Sequence, residues 1–365
     1  LDSSTNDQSI EFLLEAPESG DASIYIAGNF NDWNARDEQC RMEKTGEGQY
    51  RIRFHDRELL PDRIEYKYTL GNWDRVELNE RGNGIPNRVV FNSRSQVQDR
   101  VERWMGVELA YQKSFLPQIH ILSEAFEMPK PIKTRRVAAL LPHDYDRTDK
   151  HYPVLYLQDG QNLFDEYAPF GSWGVDKKLA LMTERGQGDI IIVAIDHAEE
   201  DRIKEFTPSS NTRLGSGYGK HYVRYLTEIL KPYVDQHFRT LPGREHTGIG
   251  GSSMGGLISI YAGLMYPEVY SKLMIFSPSL WVAPKVHFHS INLNNSQDTK
   301  IYLYGGEAES VNMIPNLKRF RTALEEQGTG ARLEFELNVD PYGQHNETRW
   351  GEEFPRAVEW LFFKK

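Results

Sequence analysis

The sequence predicts a chain of two parts: a large α/β domain on a mostly parallel sheet, preceded by a smaller all-β sandwich. Three observations predict this. From about residue 118, apolar strand-like runs alternate with stretches of helical period. One of those runs meets a helical stretch at Gly251-Ser252-Ser253-Met254-Gly255, which leaves room only for a sharp turn. Before about residue 100, short alternating runs recur between turn signals, as in a sandwich.

Bulk properties narrow the classes. At 365 residues the chain is too long for one small core and suits a large domain plus a smaller one. No apolar run approaches the ~20 residues that a membrane helix needs. A net charge of −10 and the lack of any basic run disfavour a nucleic-acid partner. The single cysteine, Cys40, excludes an internal disulfide and a cysteine metal cluster; it reads as a buried apolar side chain. The sequence opens on Leu1 rather than Met, so a bacterial periplasmic or secreted protein with its leader removed is expected. Oligomeric state is open.

The first domain is expected over residues 1–100. Ser23 to Gly28 reads as a strand ending in the turn Asn29 to Asn34; Gly46-Glu47-Gly48 is a second turn. Tyr50 to Phe54 and Ile64 to Thr69 alternate as half-buried strands do. Ala27-Gly28-Asn29-Phe30-Asn31-Asp32-Trp33, Glu65-Tyr66-Lys67-Tyr68, and then Trp73, Glu77 and Asn87-Arg88 resemble the immunoglobulin-like starch- or glycogen-binding modules. The resemblance implies that Trp33 and Trp73 stack on sugar rings; the alternative is a turn aromatic folded onto the core of a spacer domain. Residues 101–117, with Trp104, Met105, Tyr111 and Phe115, read as a packed linker.

The second domain is expected over residues 118–365. Ile119 to Leu122 and Arg135 to Pro142 open it as an antiparallel pair. Pro153 to Gln158 and Ile190 to Asp196 are continuous apolar runs, as buried parallel strands require. Tyr218 to His237 has helical period. Strands follow at Leu273 to Pro278, Lys300 to Gly305 and Arg332 to Leu337, with helices at Asn312 to Gln327 and Phe354 to Phe363. Strands and helices in alternation give a parallel sheet covered on both faces.

The turn at Ser253 carries the chemistry. Thr247 to Gly250 reads as a buried strand and Leu257 to Met265 as a helix. A strand, a sharp turn and a helix make a nucleophile elbow, in which neighbours of the serine must be small. The competing reading is a Gly/Ser loop with Ser252 or Ser253 as helix N-cap. A serine hydroxyl needs a base, and histidine has the suitable pKa. In α/β-hydrolases the order is serine, acid, histidine, which leaves His287, His289 and His345. His345, between the last strand and the last helix, is the expected base; the other two read as surface or pocket-wall residues. Glu309 is the expected acid, in the loop after the strand ending near Tyr304, with Glu307 next and Asp340 third. The oxyanion is expected to bind the backbone N–H groups of Met254 and Gln161.

Tyr152 to Asp165, Gly250 to Gly256, Ser277-Pro278-Ser279-Leu280-Trp281 and Gly343-Gln344-His345-Asn346-Glu347 together resemble an esterase family of α/β-hydrolases. That family includes enterobactin (siderophore) esterases, feruloyl and acetyl-xylan esterases, and S-formylglutathione hydrolase. The resemblance runs from about residue 118 to the end, and is strongest to the siderophore-esterase-like branch. It implies the three-layer α/β-hydrolase sandwich and a serine carboxylesterase; some members of that branch use a Ser–His dyad, which leaves the acid open.

Trp173 and Trp281 are expected to line the substrate pocket, and Arg202 and Glu205, just after a sheet strand, to bind polar groups of the substrate. A mutual surface salt bridge is the alternative for the latter pair. No nucleotide fingerprint or H-E-x-x-H motif occurs, so no cofactor and no metal are expected. The expected function is hydrolysis of acetyl or feruloyl esters of carbohydrates, on a small-molecule or polysaccharide substrate. The alternatives are a siderophore or other small-ester esterase, a carbohydrate-binding protein with weak or no hydrolase activity, and an acyltransferase.

Overall fold

The computed structural model describes residues 9–17, 22–79, 84–106, 111–164, 168, 171–208, 212–286, 298–327 and 332–364. The chain divides into two compact units, Leu1–Leu109 and Ala110–Lys365. The stretch read as a linker is shared between them. Trp104 is buried in the first core, whereas Phe115 packs edge-on against His143 of the second unit.

The first unit is all-β. Its strands are β1 (Ile10–Glu15), β2 (Tyr25–Gly28), β3 (Glu43–Gly46), β4 (Gln49–Phe54), β5 (Arg63–Thr69), β6 (Glu77–Leu78), β7 (Arg88–Phe91), β8 (Gln96–Arg100) and β9 (Arg103–Trp104). They form sheets ordered β3-β4-β1-β8, β2-β5-β7 and β6-β9. Alternation in β4 buries Tyr50 and Ile52 and exposes Arg51 and Arg53. Phe12, Ile26, Ile64 and Tyr66 join them in the core. A carboxylate is buried with them. Glu77 is fully buried and is paired with Arg88 at 2.8 Å, which also reaches Asp99 at 2.9 Å. Cys40 is buried, and burial, helped by Asp37, pushes its thiol up to about 12, out of the thiolate range.

The second unit holds an eight-stranded sheet, ordered β10-β11-β13-β12-β14-β15-β16-β17. Its strands are β10 (Gln118–Phe126), β11 (Arg135–Leu141), β12 (Val154–Gln158), β13 (Ile191–Ile195), β14 (Thr247–Ser252), β15 (Lys272–Phe276), β16 (Thr299–Gly306) and β17 (Leu333–Asp340). The β10–β11 and β11–β13 pairs are antiparallel and the remaining pairs parallel. The helices are α1 (Val175–Glu184), α2 (Arg202–Phe206), α3 (Gly219–Tyr225), α4 (Lys231–His237), α5 (Met254–Met265), α6 (Met313–Gln327) and α7 (Glu347–Val358). Two cores, one on each face, make the three layers. Tyr222 of α3, Val234 of α4, Leu257 of α5 and Leu317 of α6 pack with Val154, Tyr156 and Ile249. Leu179 of α1 and Phe354 and Val358 of α7 pack with Leu155, Leu157 and Ile192 on the other face. β12 and β14, central in the sheet, are buried along their whole length.

The expected helix over 218–237 is interrupted by a π-helical stretch, Leu226–Leu230, between α3 and α4. The expected last helix begins much earlier than Phe354. Asn346 caps it by accepting from the N–H of Arg349 at 3.0 Å, and Pro355 sits inside it.

Glu353 of α7 is buried against the sheet. It accepts hydrogen bonds from the hydroxyl of Tyr302 and, at 2.7 Å, from the side-chain amide of Asn338. Burial pushes its carboxyl from 4.5 up to about 7, outweighing the opposing hydrogen bonds and the charge of Arg356. The folded state therefore keeps a proton that the unfolded chain loses near 4.5, so stability falls as pH rises from 4.5 to about 7 and is level above it. Glu353→Gln keeps an acceptor for both partners and should remove that slope, on the order of 2 kcal/mol. Urea unfolding of both proteins at about pH 5 and about pH 8 reads it.

Candidate active site

Ser253 sits between the end of β14 and the first residue of α5, with φ 56° and ψ −121°. A residue with a β-carbon avoids that region, and the flanking contacts hold it there. Its N–H donates to the carbonyl of Phe276 on β15 at 3.0 Å. Its carbonyl accepts from Leu257 at 3.1 Å and from Ser279 at 3.0 Å. The turn is too tight for larger neighbours. A β-carbon on Gly251 would lie 3.0 Å from the Gly255 backbone, and one on Gly255 would lie 2.9 Å from Asp159 Oδ2. These are the positions at which the G-x-S-x-G pattern carries glycine.

Two strands further along the sheet, Glu309 and His345 meet. His345 Nδ1 lies 2.7 Å from Glu309 Oε2. Glu309 is almost wholly buried on its side chain, and its other oxygen accepts from Ser277 Oγ at 2.6 Å and from the N–H of Gly306 at 2.7 Å. The alternatives make no hydrogen bond with His345 among the described residues. Glu307 is exposed, and Asp340 is buried against Tyr304, Arg349 and the N–H of Tyr342. The His345 ring stands edge-on against Trp350, with centroids 4.8 Å apart. A carboxylate on Nδ1 leaves Nε2 as the nitrogen free to take a proton.

Ser253 Oγ lies 3.3 Å from Ser279 Oγ and makes no hydrogen bond to His345 among the described residues. Hydrogen bonds of this kind often tighten only in the complex with substrate. What joins the parts is the end of β15. Phe276 holds the Ser253 backbone, Ser277 holds Glu309, and Ser279 touches the Ser253 hydroxyl. Ser277 itself has φ 43°, and its oxygen also accepts from Trp350 Nε1 at 2.9 Å.

The expected oxyanion donors come just after two neighbouring strands, Gln161 after β12 and Met254 after β14. Among the described residues, neither the N–H of Met254 nor that of Gln161 has a hydrogen-bond partner. Met254 opens α5, where free N–H groups and the helix dipole favour negative charge. Gln161 is in the short turn Gly160–Asn162, and its side chain accepts from the N–H of His197 at 3.0 Å. Asp159, left-handed at φ 58°, is clamped by Arg202 through bonds of 2.7 and 2.9 Å.

These contacts correct three expectations. Arg202 is committed to Asp159 and steadies the turn that carries Gln161 rather than facing a substrate with a free guanidinium. Glu205 is fully buried, ion-paired with Arg135 and bonded to the N–H of Lys133 at 2.8 Å, so it belongs to the scaffold. The suggested Arg202–Glu205 surface pair does not form either. Trp173 is also buried, stacked on Phe276 at 5.4 Å and packed on Trp350 at 6.2 Å. It supports Trp350, which supports His345. Trp281 is half exposed and lines a cavity of about 410 Å³ with Arg213 and Arg319. His287 and His289 lie outside the described residues. In the first unit, Trp33 and Trp73 are neighbours, with ring centroids 6.1 Å apart and planes tilted by 48°. Sequence reasoning gave no role to Ser277, Ser279 or Trp350; the Ser277–Trp281 motif was the signal for the serines.

With this geometry in place, comparison with known proteins is informative. The Esterase family model, described as Putative esterase, matches residues 130–361, well over half of the chain. The chain belongs to the Esterase family. It is a carboxylic ester hydrolase. A stretch of 108 residues, 27% of this esterase, is 43% identical to an amylopullulanase of Thermoanaerobacter thermohydrosulfuricus, covering 7% of that protein. Two solved structures share the fold. The enterobactin esterase of Shigella flexneri, solved in the presence of enterobactin, aligns over 97% of this esterase and 92% of its own chain, with TM-score 0.54 and 15% identity. A CE1 ferulic acid esterase from the anaerobic fungus Anaeromyces mucronatus aligns over 70% and 94%, with TM-score 0.52 and 20% identity. No helix among the described residues of this esterase is long and apolar enough to cross a membrane.

Ser277→Ala should remove one anchor of Glu309 and leave Trp350 Nε1 without its acceptor. We expect kcat on a short p-nitrophenyl ester to fall about 10- to 100-fold with KM little changed, as for other residues that orient a catalytic group.

Proposed function

We propose that this esterase is a serine hydrolase that works through an acyl-enzyme, and that its substrates are acetyl or feruloyl esters of carbohydrates. The observation that carries the first part is the Glu309–His345 pair, fixed at 2.7 Å and joined through the end of β15 to the strained Ser253. Ser253 Oγ attacks the ester carbonyl while His345 Nε2 takes its proton. The charge that develops on the carbonyl oxygen is met by the N–H groups of Met254 and Gln161. The intermediate collapses, His345 returns the proton to the leaving alcohol, and the acyl group stays on Ser253. Water, activated by the same imidazole, then releases the acid. Glu309 keeps Nδ1 protonated and stabilises the imidazolium.

The carbohydrate part rests on the paired indoles Trp33 and Trp73, of which Trp73 is exposed, and on the likeness of part of the chain to an amylopullulanase. An indole face suits the apolar face of a pyranose. A second reading, hydrolysis of a siderophore ester, is favoured by the alignment with the enterobactin esterase over nearly the whole chain.

A panel of p-nitrophenyl acetate, methyl ferulate, acetylated xylan and a catecholate siderophore decides among these. Ser253→Ala and His345→Ala should each lose at least ~10³-fold in kcat, and Glu309→Gln about 10- to 10⁴-fold. A Glu309→Gln protein with undiminished kcat would reduce the site to a dyad. Sugar binding with no ester cleavage would leave a binding protein; acyl transfer to a sugar faster than to water would make it a transferase.

A further inference from the structure

The cavity beside Trp281 has a chemistry that the ester-cleaving residues do not use. It measures about 410 Å³ and presents Arg213, Trp281, Asn312, Asn316 and Arg319. Leu280 and Phe320, both buried, also line it. Among the described residues, no acidic side chain lines it. Among the described residues, neither guanidinium is paired with a carboxylate. Arg319 donates to the side-chain oxygen of Asn316, and Arg213 is held by its backbone N–H, which donates to Val282 at 3.0 Å. Two cations without a carboxylate partner among the described residues, lining one cavity, are notable on a chain whose net charge is −10.

The cavity is tied by chain to the reacting groups on two sides. Leu280 and Trp281 directly follow Ser279, whose hydroxyl lies 3.3 Å from that of Ser253. Asn312 follows Glu309 in the same loop, ahead of α6. The cavity is thus built on segments that also carry Ser279 and Glu309.

We propose that the cavity is a subsite for an acidic sugar, so that the ester cleaved at Ser253 sits on or next to a uronic acid residue. This rests on the serine-hydrolase reading above and adds the identity of the alcohol. Each group has a task in it. The indole of Trp281, half exposed, lies along the apolar face of the pyranose. Asn312 and Asn316 offer amides to its hydroxyls. Arg213 and Arg319 take the carboxylate, for which the guanidinium fork is shaped. A neutral sugar would leave both guanidinia without an anionic partner.

The test uses a matched pair: the acetyl esters of 4-nitrophenyl β-glucuronide and of 4-nitrophenyl β-glucoside, which differ at C6 only. Acetate release should show kcat/KM at least about tenfold higher for the glucuronide, through KM, and the preference should shrink with added salt. Arg213→Ala and Arg319→Ala should each lower that ratio about tenfold, with Lys at either position restoring part of it. Calorimetry with unacetylated 4-nitrophenyl β-glucuronide and the Ser253→Ala protein reads the subsite apart from catalysis. Binding of the glucuronide over the glucoside, weakened by either arginine change, supports the proposal even if the mechanism at Ser253 proves different. Equal kcat/KM for the two esters, equal binding of the two glycosides, or a ratio indifferent to both arginines overturns it. Failure to cleave p-nitrophenyl acetate at all would instead strike the serine-hydrolase reading.

Discussion

The backbone of Ser253, held at φ 56° and ψ −121°, is the constraint on which the site depends. Such a conformation costs about 1–3 kcal/mol and persists only where its surroundings over-determine it. Here they do so from three sides. β15 grips the serine N–H, α5 and the Ser277–Ser279 turn take its carbonyl, and glycines at 251 and 255 let strand and helix close together. The result is a hydroxyl raised at the carboxyl ends of central parallel strands, where an open α/β sheet presents its ligands. The same turn starts α5, so the N–H of Met254 lies at a helix N-terminus, where negative charge is favoured.

Behind the reacting groups lies a buried support. Phe276 stacks on Trp173, Trp173 packs on Trp350, and Trp350 meets the edge of His345. Ser277 crosses this stack with a polar link, joining Trp350 to Glu309. An imidazole that is partly exposed, as that of His345 is, needs such backing to keep one orientation. Arg202 does the corresponding work on the other side, fixing Asp159 at the root of the turn that carries Gln161. The site is thus assembled from the ends of β12, β14, β15, β16 and β17, and its precision comes from the sheet rather than from any single loop.

Much of this was legible in the sequence, for reasons that differ by residue. The elbow glycines, the serine turn and the order serine–acid–histidine follow from local geometry and from the direction of the parallel strands, so the turn at Ser253 and the pairing of His345 with Glu309 could be anticipated from one chain. Glu205 could not be placed, because its partner Arg135 is 70 residues away and a charge near a strand end looks the same whether it faces solvent or an ion pair. Trp173 misled for a similar reason: an aromatic near the oxyanion turn fits a wall or a core equally well until Phe276 and Trp350 are brought beside it. The start of α7 at Glu347, ahead of the expected Phe354, was not read from the sequence. Ser277 was visible as part of a motif, but its role depends on two contacts from distant segments.

The most direct test of the account is a crystal structure of the protein inactivated by a small phosphonate ester, which mimics the tetrahedral intermediate. The account predicts a covalent bond from phosphorus to Ser253 Oγ, one phosphoryl oxygen within hydrogen-bond distance of the N–H groups of Met254 and Gln161, and His345 turned toward the Ser253 oxygen while still bonded to Glu309. A label on another residue, or an adduct on Ser253 with His345 remote from it, would contradict it.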